Sequence, residues 1–213
     1  MNSNFTDDCK LEQLLKELNS RNSQKRAIAV KKLGQMDIKI KDFPIILHTK
    51  LEETLFDPEA EVRKEAAMAL AFLEGEIALL LLEALLDDPV LSVRSNAIAA
   101  ISFIGVTPPR IITDKMINFL TAPEVEIRDR CARACGRLKI FQAKEKLLEL
   151  ARIDSSPAVR AGAIVGLGML EDPQIKMDLR QLLSSETSPP VISAIKETIA
   201  LIETSIARNN LQV

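Results

Sequence analysis

The chain has 213 residues, 47% of them apolar and 27% charged, with 3% aromatic residues and neither Trp nor Tyr. That is too apolar for a disordered chain, yet no apolar run reaches the roughly 18 residues of a membrane span; the densest, Ile77 to Leu86, is broken by Glu83. The formal charge of −2 is unevenly spread, at net +4 over residues 1–50, −8 over 51–100, +3 over 101–150 and −1 over 151–213, so no coherent basic stripe for a nucleic-acid duplex runs along the chain.

Residues 1–9 read as a flexible arm: Asp7, Asp8 and Lys10 replace the basic start and apolar stretch of a secretory signal. Three cysteines do not make a disulfide framework, and a reducing, cytoplasmic setting is expected. A first helix is predicted over 11–19, where Leu11, Leu14, Leu15 and Leu18 follow helical spacing. Lys25-Arg26 then opens a second helical stretch. It is a degenerate copy of a pair that returns as Val62-Arg63, Val93-Arg94, Ile127-Arg128 and Val159-Arg160, the arginines standing 37, 31, 34 and 32 residues apart. A period of that size is the mark of stacked repeats.

Between these stretches, helices are predicted over 43–56, 76–87, 109–121, 141–153 and 173–185, and the last second helix over 190–207. In that last unit Ser193 stands where the arginine is expected and Lys196 where a small residue is, as suits a terminal repeat. The expected fold is all-α: a right-handed α-solenoid of about six stacked helical hairpins, in one domain over 10–207. Its units are 10–36, 43–74, 76–105, 109–138, 141–170 and 173–207, followed by a frayed tail over 208–213.

Counting from the Val or Ile of each pair, positions +4, +7 and +8 are small or apolar. They are Ala66, Ala69 and Leu70; Ala97, Ala100 and Ile101; Cys131, Ala134 and Cys135; and Ala163, Gly166 and Leu167. That spacing is one face of a helix, and the small residues let neighbouring helices approach. A proline precedes each of these helices, in Asp57-Pro58, Asp88-Pro89, Ala122-Pro123 and Ser156-Pro157, placing Pro in the first turn with Asp or Ser as a cap. Gly34, Gly75, Gly105 and Gly168 fall near the helix ends, where left-handed C-caps are expected.

The runs Asp57-Pro58-x3-Val62-Arg63-x2-Ala66-x2-Ala69-Leu70 and Asp88-Pro89-x3-Val93-Arg94-x2-Ala97-x2-Ala100-Ile101 resemble HEAT repeats, particularly the short HEAT-like type of phycobilisome-lyase proteins. The fourth unit matches with Pro123, Ile127 and Arg128; in the fifth, the interval from Pro157 to Arg160 is two residues shorter. The resemblance spans about Leu11 to Ala207. It implies that each repeat arginine bridges to acidic or carbonyl groups of a neighbouring turn, with Asp57 and Asp88 as partners, rather than forming a ladder of anion sites at Arg63, Arg94, Arg128 and Arg160. Such repeats host many binding roles, so the fold alone does not name the activity.

No catalytic constellation emerges, and no enzyme activity or cofactor is expected. Cys131 and Cys135 stand four apart on one helix face, at core positions and without a histidine to complete a zinc site. His48 is the only histidine and has no nucleophile motif beside it. The iron-binding HEAT-like hydroxylases use His-Glu pairs, and this chain has none. Glu59, Glu61, Glu124 and Glu126 fall in first turns, where they favour the helix dipole, and Gly166-Leu167-Gly168 lies too late in its helix to cradle phosphate.

The informative surface is instead expected at positions +5 and +6, read as the outward pair on a concave face: Val30/Lys31, Ala67/Met68, Ile98/Ala99, Ala132/Arg133 and Ile164/Val165. Val30, Met68, Ile98, Ile164 and Val165 would form an apolar strip, interrupted by a basic spot at Arg130, Arg133 and Arg137. A protein or peptide partner is expected there, making the chain a non-enzymatic interaction or scaffold module. Two alternatives follow from the resemblance: a bilin-lyase-like subunit whose groove holds a tetrapyrrole over Arg130 or Arg133, and a DNA-binding HEAT-like protein. The latter has no Trp or Tyr for base stacking. The sequence leaves oligomeric state open.

Overall fold

Leu, Ile and Ala at helical spacing, with every described proline in a joint or a first helical turn, leave the chain one way to bury its apolar faces: helix against helix. The computed structural model describes residues 3–36, 45–72 and 76–210, with side chains over 10–36, 49–72 and 77–204. Among them are twelve α-helices, a 3-10 turn and no strand. They form two compact units, Met1–Ile104 and Gly105–Val213.

In the first unit three hairpins follow one another: α1 (Ser3–Leu18) with α2 (Ser23–Gly34), α3 (Ile45–Thr54) with α4 (Ala60–Leu70), and α5 (Glu76–Leu85) with α6 (Leu91–Ile104). The second helices stack, α2 on α4 and α4 on α6. The second unit repeats the plan with α7 (Arg110–Phe119) and α8 (Val125–Arg137), α9 (Lys144–Ile153) and α10 (Pro157–Met169), and α11 (Ile175–Leu183) and α12 (Pro189–Asn210). Here α8 packs on α10 and α10 on α12, while the 3-10 turn at Phe141–Ala143 leads into α9. Two ends differ from expectation. Helix α1 runs back through the segment read as an arm, because no Gly or Pro stands between Ser3 and Leu18 to stop it. Helix α12 continues to Asn210, into the segment read as a tail.

Positions +4, +7 and +8 of the four clear repeats are all buried. The loops ahead of these helices are held by their arginines through a contact that recurs at fixed register. Each arginine's Nη1 donates to the carbonyl six residues before it: Arg26 to Ser20, Arg63 to Asp57, Arg94 to Asp88, Arg128 to Ala122 and Arg160 to Asp154, at 2.6 to 2.9 Å. Arg26, Arg63, Arg128 and Arg160 also reach forward. Nε and Nη2 grip both oxygens of an acid in the following second-helix loop: Arg26 on Asp57, Arg63 on Asp88, Arg128 on Asp154 and Arg160 on Glu186, at 2.6 to 3.1 Å. These eight side chains are between 5% and 14% exposed. Each acid also accepts the backbone amide two residues on, from Glu59, Val90, Ser156 or Ser188, which folds its own loop.

The aspartates therefore do not cap in the way the sequence implied. Pro58, Pro89 and Pro123 lie outside the helices, ahead of Ala60, Leu91 and Val125, and only Pro157 takes the expected first-turn place in its repeat. Register also moves in the last repeat. The amides of Val191 and Ile192 bond Ser188 O as those of Val62 and Arg63 bond Glu59 O, so Val191 holds the position expected of Ile192. Ile195 is then the buried +4 residue, and Lys196 is exposed at +5.

Only Gly105, after α6, has the positive φ expected of a C-cap, at 73°; Gly75 lies outside the described residues. Gly34 and Gly168 serve close approach instead. A Cβ on Gly34 would fall 2.7 Å from Ala69 Cα on α4, and one on Gly168 would strike Thr198 on α12. Between α8 and α10 the backbones touch: a side chain on Gly136 would overlap Gly166 O, and one on Gly166 would overlap Ala132 O. The left-handed positions after α8 and α10 go to Lys139 and Glu171, at φ 54° and 58°, and these two residues pair with each other at 3.0 Å.

Two outcomes test this packing. In an ordinary helix interior Gly→Ala stabilises by about 1 kcal/mol. Gly166→Ala should instead cost about 1–3 kcal/mol, because the added methyl meets the α8 backbone; a gain in denaturation midpoint would contradict the close approach. The ladder acids predict the pH dependence. Burial alone would raise Asp57, Asp88 and Asp154, but the bidentate arginine, the loop amide and the nearby guanidinium charges outweigh it and hold them below the ordinary value. Arg160 lowers Glu186 likewise. A lowered folded value means the stabilisation is complete above the unfolded value, about 4, and is lost as pH falls through the folded one. Melting temperature should be flat above about pH 5 and drop steeply below about pH 4; equal melting at pH 3 and pH 7 would exclude the ladder as a stabilising element.

Candidate functional site

The arginine ladder offers no anion site on the described pairs. Arg26, Arg63, Arg128 and Arg160 spend Nε and Nη2 on a carboxylate and Nη1 on a carbonyl, nearly out of solvent. Cys131 and Cys135 are free and fully buried. Burial pushes the Cys135 thiol up to about 12, and burial together with its neighbour Cys135 pushes Cys131 well above its ordinary value. Neither is a thiolate at neutral pH, so both serve as core. His48 lies in α3, and Cys9 in α1, with side chains outside the described ones. Among the described residues no group of three His, Cys, Asp or Glu is placed to hold a metal ion.

The expected outward pair is corrected at its first member. Val30, Ile98 and Ile164 are 0% exposed, as are Ala67 and Ala132. The reason is angular. At about 100° per residue, +5 lies near 140° from the Val or Ile, on the flank of the buried arc. Positions +3, +6 and +10, at roughly 300°, 240° and 280°, share the opposite side. Met68 and Val165, at +6, are half-buried, and Arg133 is 44% exposed.

Position +10 was not singled out in the sequence, and it carries the largest outward side chains. In the first unit it places Phe72 and Phe103 after α4 and near the end of α6, 50% and 52% exposed, with ring centroids 5.5 Å apart and planes at 61°. Such an edge-to-face pair joins two layers while leaving half of each ring to solvent. In the second unit the same position holds Arg137, Met169 and Leu201, the last two 39% and 68% exposed. The signal that could have found them is the sequence itself: ten residues beyond the Val or Ile, each is large.

The three arginines expected as a basic spot all lie on α8. Arg130 faces Glu126 at 3.5 Å, with its Nε buried and not hydrogen-bonded. Arg133 Nε bonds Asp129 Oδ1 at 3.0 Å. Arg137 is exposed and makes no ion pair or hydrogen bond among the described residues. Gly162 of α10 makes room for this arrangement, since a side chain there would run into the Asp129 carboxylate.

No described helix is long and apolar enough to cross a membrane. Solved structures similar to this chain include helical-repeat proteins. An archaeal HEAT-like repeats protein from Thermococcus onnurineus NA1 superposes with TM-score 0.59 at 15% identity, covering 93% of this chain and 89% of its own. A designed armadillo repeat protein in complex with the peptide (KR)4 gives TM-score 0.60 at 21% identity, over 90% and 99% of the two chains. An engineered protein gives 0.63 at 21% identity, over 96% and 100%. No curated protein matches the sequence. The family model for HEAT repeats matches residues 11–102 and 113–200, most of the chain; this protein belongs to the HEAT-repeat family.

Proposed function

We propose that the chain is a non-enzymatic interaction module that takes a protein or peptide partner along the outer edges of its second helices. The carrying observation is the divided use of those helices. Their repeat arginines are consumed in structural ties, while +6 and +10 leave Met68, Phe72, Phe103, Val165, Met169 and Leu201 partly or largely in solvent. Large apolar side chains set beside arginines are the chemistry of an anchoring surface. Of the partner contacts expected from sequence, Met68, Arg130, Arg133, Arg137 and Val165 remain in this proposal, and the buried Val30, Ile98 and Ile164 leave it. The armadillo protein solved with (KR)4 supports the reading by fold: a similar helical stack holds a peptide.

The test is affinity capture from the native source with wild-type bait, Phe72→Asp/Phe103→Asp and Met169→Asp/Leu201→Asp. All of the altered side chains are exposed, so the variants should keep the wild-type circular dichroism spectrum. At least one should lose a wild-type partner by about tenfold or more, the scale of one good anchor. Folded variants of both kinds that retain every partner at wild-type level would refute the placement.

A further inference from the structure

We infer that the second-helix edge of the Gly105–Val213 unit recognises an acidic peptide segment that carries apolar side chains among its carboxylates. This deepens the proposal above and rests on it for the surface, while the charge of the ligand is a separate claim. Glycines set the geometry. Gly136 and Gly166 bring the α8 and α10 backbones into contact, Gly162 lets the Asp129–Arg133 pair lie over α10, and Gly168 seats α10 on Thr198 of α12. Three helix edges therefore run side by side without bulky walls between them.

Across them the outward positions change character. Helix α8 presents Arg130, Arg133 and Arg137; α10 presents Val165 and Met169; α12 presents Leu201 beyond Glu197, whose carboxylate accepts from Ser193 Oγ at 2.7 Å. Glu126 and Asp129 pair with Arg130 and Arg133 on the same helix, so the charge left over on this edge is that of Arg137, which stands beside an apolar strip. Arg137 has no partner among the described residues, and Arg133 uses only Nε, so its Nη groups are left to bind. A guanidinium fork of this kind suits a carboxylate.

A lysine- or arginine-rich segment would meet like charge at Arg137, which no carboxylate among the described residues offsets. A nucleic-acid strand would find phosphate contacts there, but Val165, Met169 and Leu201 offer no ring on which a base could stack. A segment with both carboxylates and Leu-like side chains satisfies Arg137 and the strip together. Its binding should weaken with salt through the charged half alone.

Fluorescence anisotropy with the full chain tests this, using labelled Glu-Glu-Leu-Leu-Glu-Glu-Leu-Leu, its Lys-for-Glu and Ser-for-Leu counterparts, and a short oligo-dT strand. The Glu/Leu peptide should bind at least about tenfold tighter than each of the others. Arg137→Glu and Met169→Asp should each weaken it by about tenfold, with Leu201→Asp as a second apolar variant should Met169→Asp fail to fold. Arg110→Glu, at an exposed arginine on α7 outside this edge, should leave binding unchanged. If the Lys/Leu peptide binds equally or better and Met169→Asp abolishes it, the acidic assignment falls while the module proposal stands. No peptide binding alongside partner capture that depends on Met169 and Leu201 has the same consequence. Oligo-dT binding that is tighter than the peptide's and indifferent to Met169→Asp would overturn both.

Discussion

One contact organises each unit: an arginine that folds back on the carbonyl six residues behind it and reaches forward to a carboxylate in the next second-helix loop. The first half closes the loop in front of a second helix, and the second half ties that loop to its successor. The acid is itself part of a turn, accepting the amide two residues on, so loop shape and layer spacing are set by the same side chain. Buried ion pairs are costly to desolvate and contribute little net energy by themselves. Their effect is on register: a helix displaced by one residue would leave a nearly buried guanidinium and a nearly buried carboxylate unpaired. The apolar positions +4, +7 and +8 supply the burial, and the arginine chooses which packing is used.

That division fixes what remains for function. Once the arginine and the +4, +5, +7 and +8 residues of the four clear repeats are committed to packing, the arc of each second helix that carries +6 and +10 is left to solvent. In the first unit these edges carry an edge-to-face pair of phenylalanines. In the second they carry arginines on one helix and apolar residues on the next. Two surfaces of different chemistry thus rest on a repeated frame, which is how helical repeats support many binding roles without changing their core.

The frame was legible in the sequence because its determinants are local. The Val/Ile-Arg pair, the small residues after it and the aspartates at 57 and 88 identified stacked hairpins and two of the ladder acids. Asp154 and Glu186 were missed because neither stands directly before a proline, as Asp57 and Asp88 do, and the distance from proline to arginine varies. The invariant is the six-residue step from the loop carbonyl, and measured that way Asp154 precedes Arg160 as Asp57 precedes Arg63. The outward face was misplaced for a related reason. Val30, Ile98 and Ile164 are adjacent in sequence to outward positions, yet 100° of rotation turns them into the buried arc. Gly34 and Gly168 looked like caps because glycine at a helix end serves either backbone freedom or close approach, and only the partner helix decides which. Arg133 and Arg137 are exposed on α8, since charge on a helix whose other faces are apolar has one side to occupy.

The account depends most directly on the ladder being a coupled tie rather than a set of independent surface charges. A double-mutant cycle on Arg63→Ala and Asp88→Ala, read by denaturant unfolding, measures that coupling. Each single substitution should cost about 3 kcal/mol by stranding its partner in a nearly buried site. The double should cost little more than either single, giving a coupling of about 2 kcal/mol or greater. Additive losses agreeing within about 0.5 kcal/mol would mean that arginine and aspartate do not depend on each other, and that something else sets the spacing of the layers.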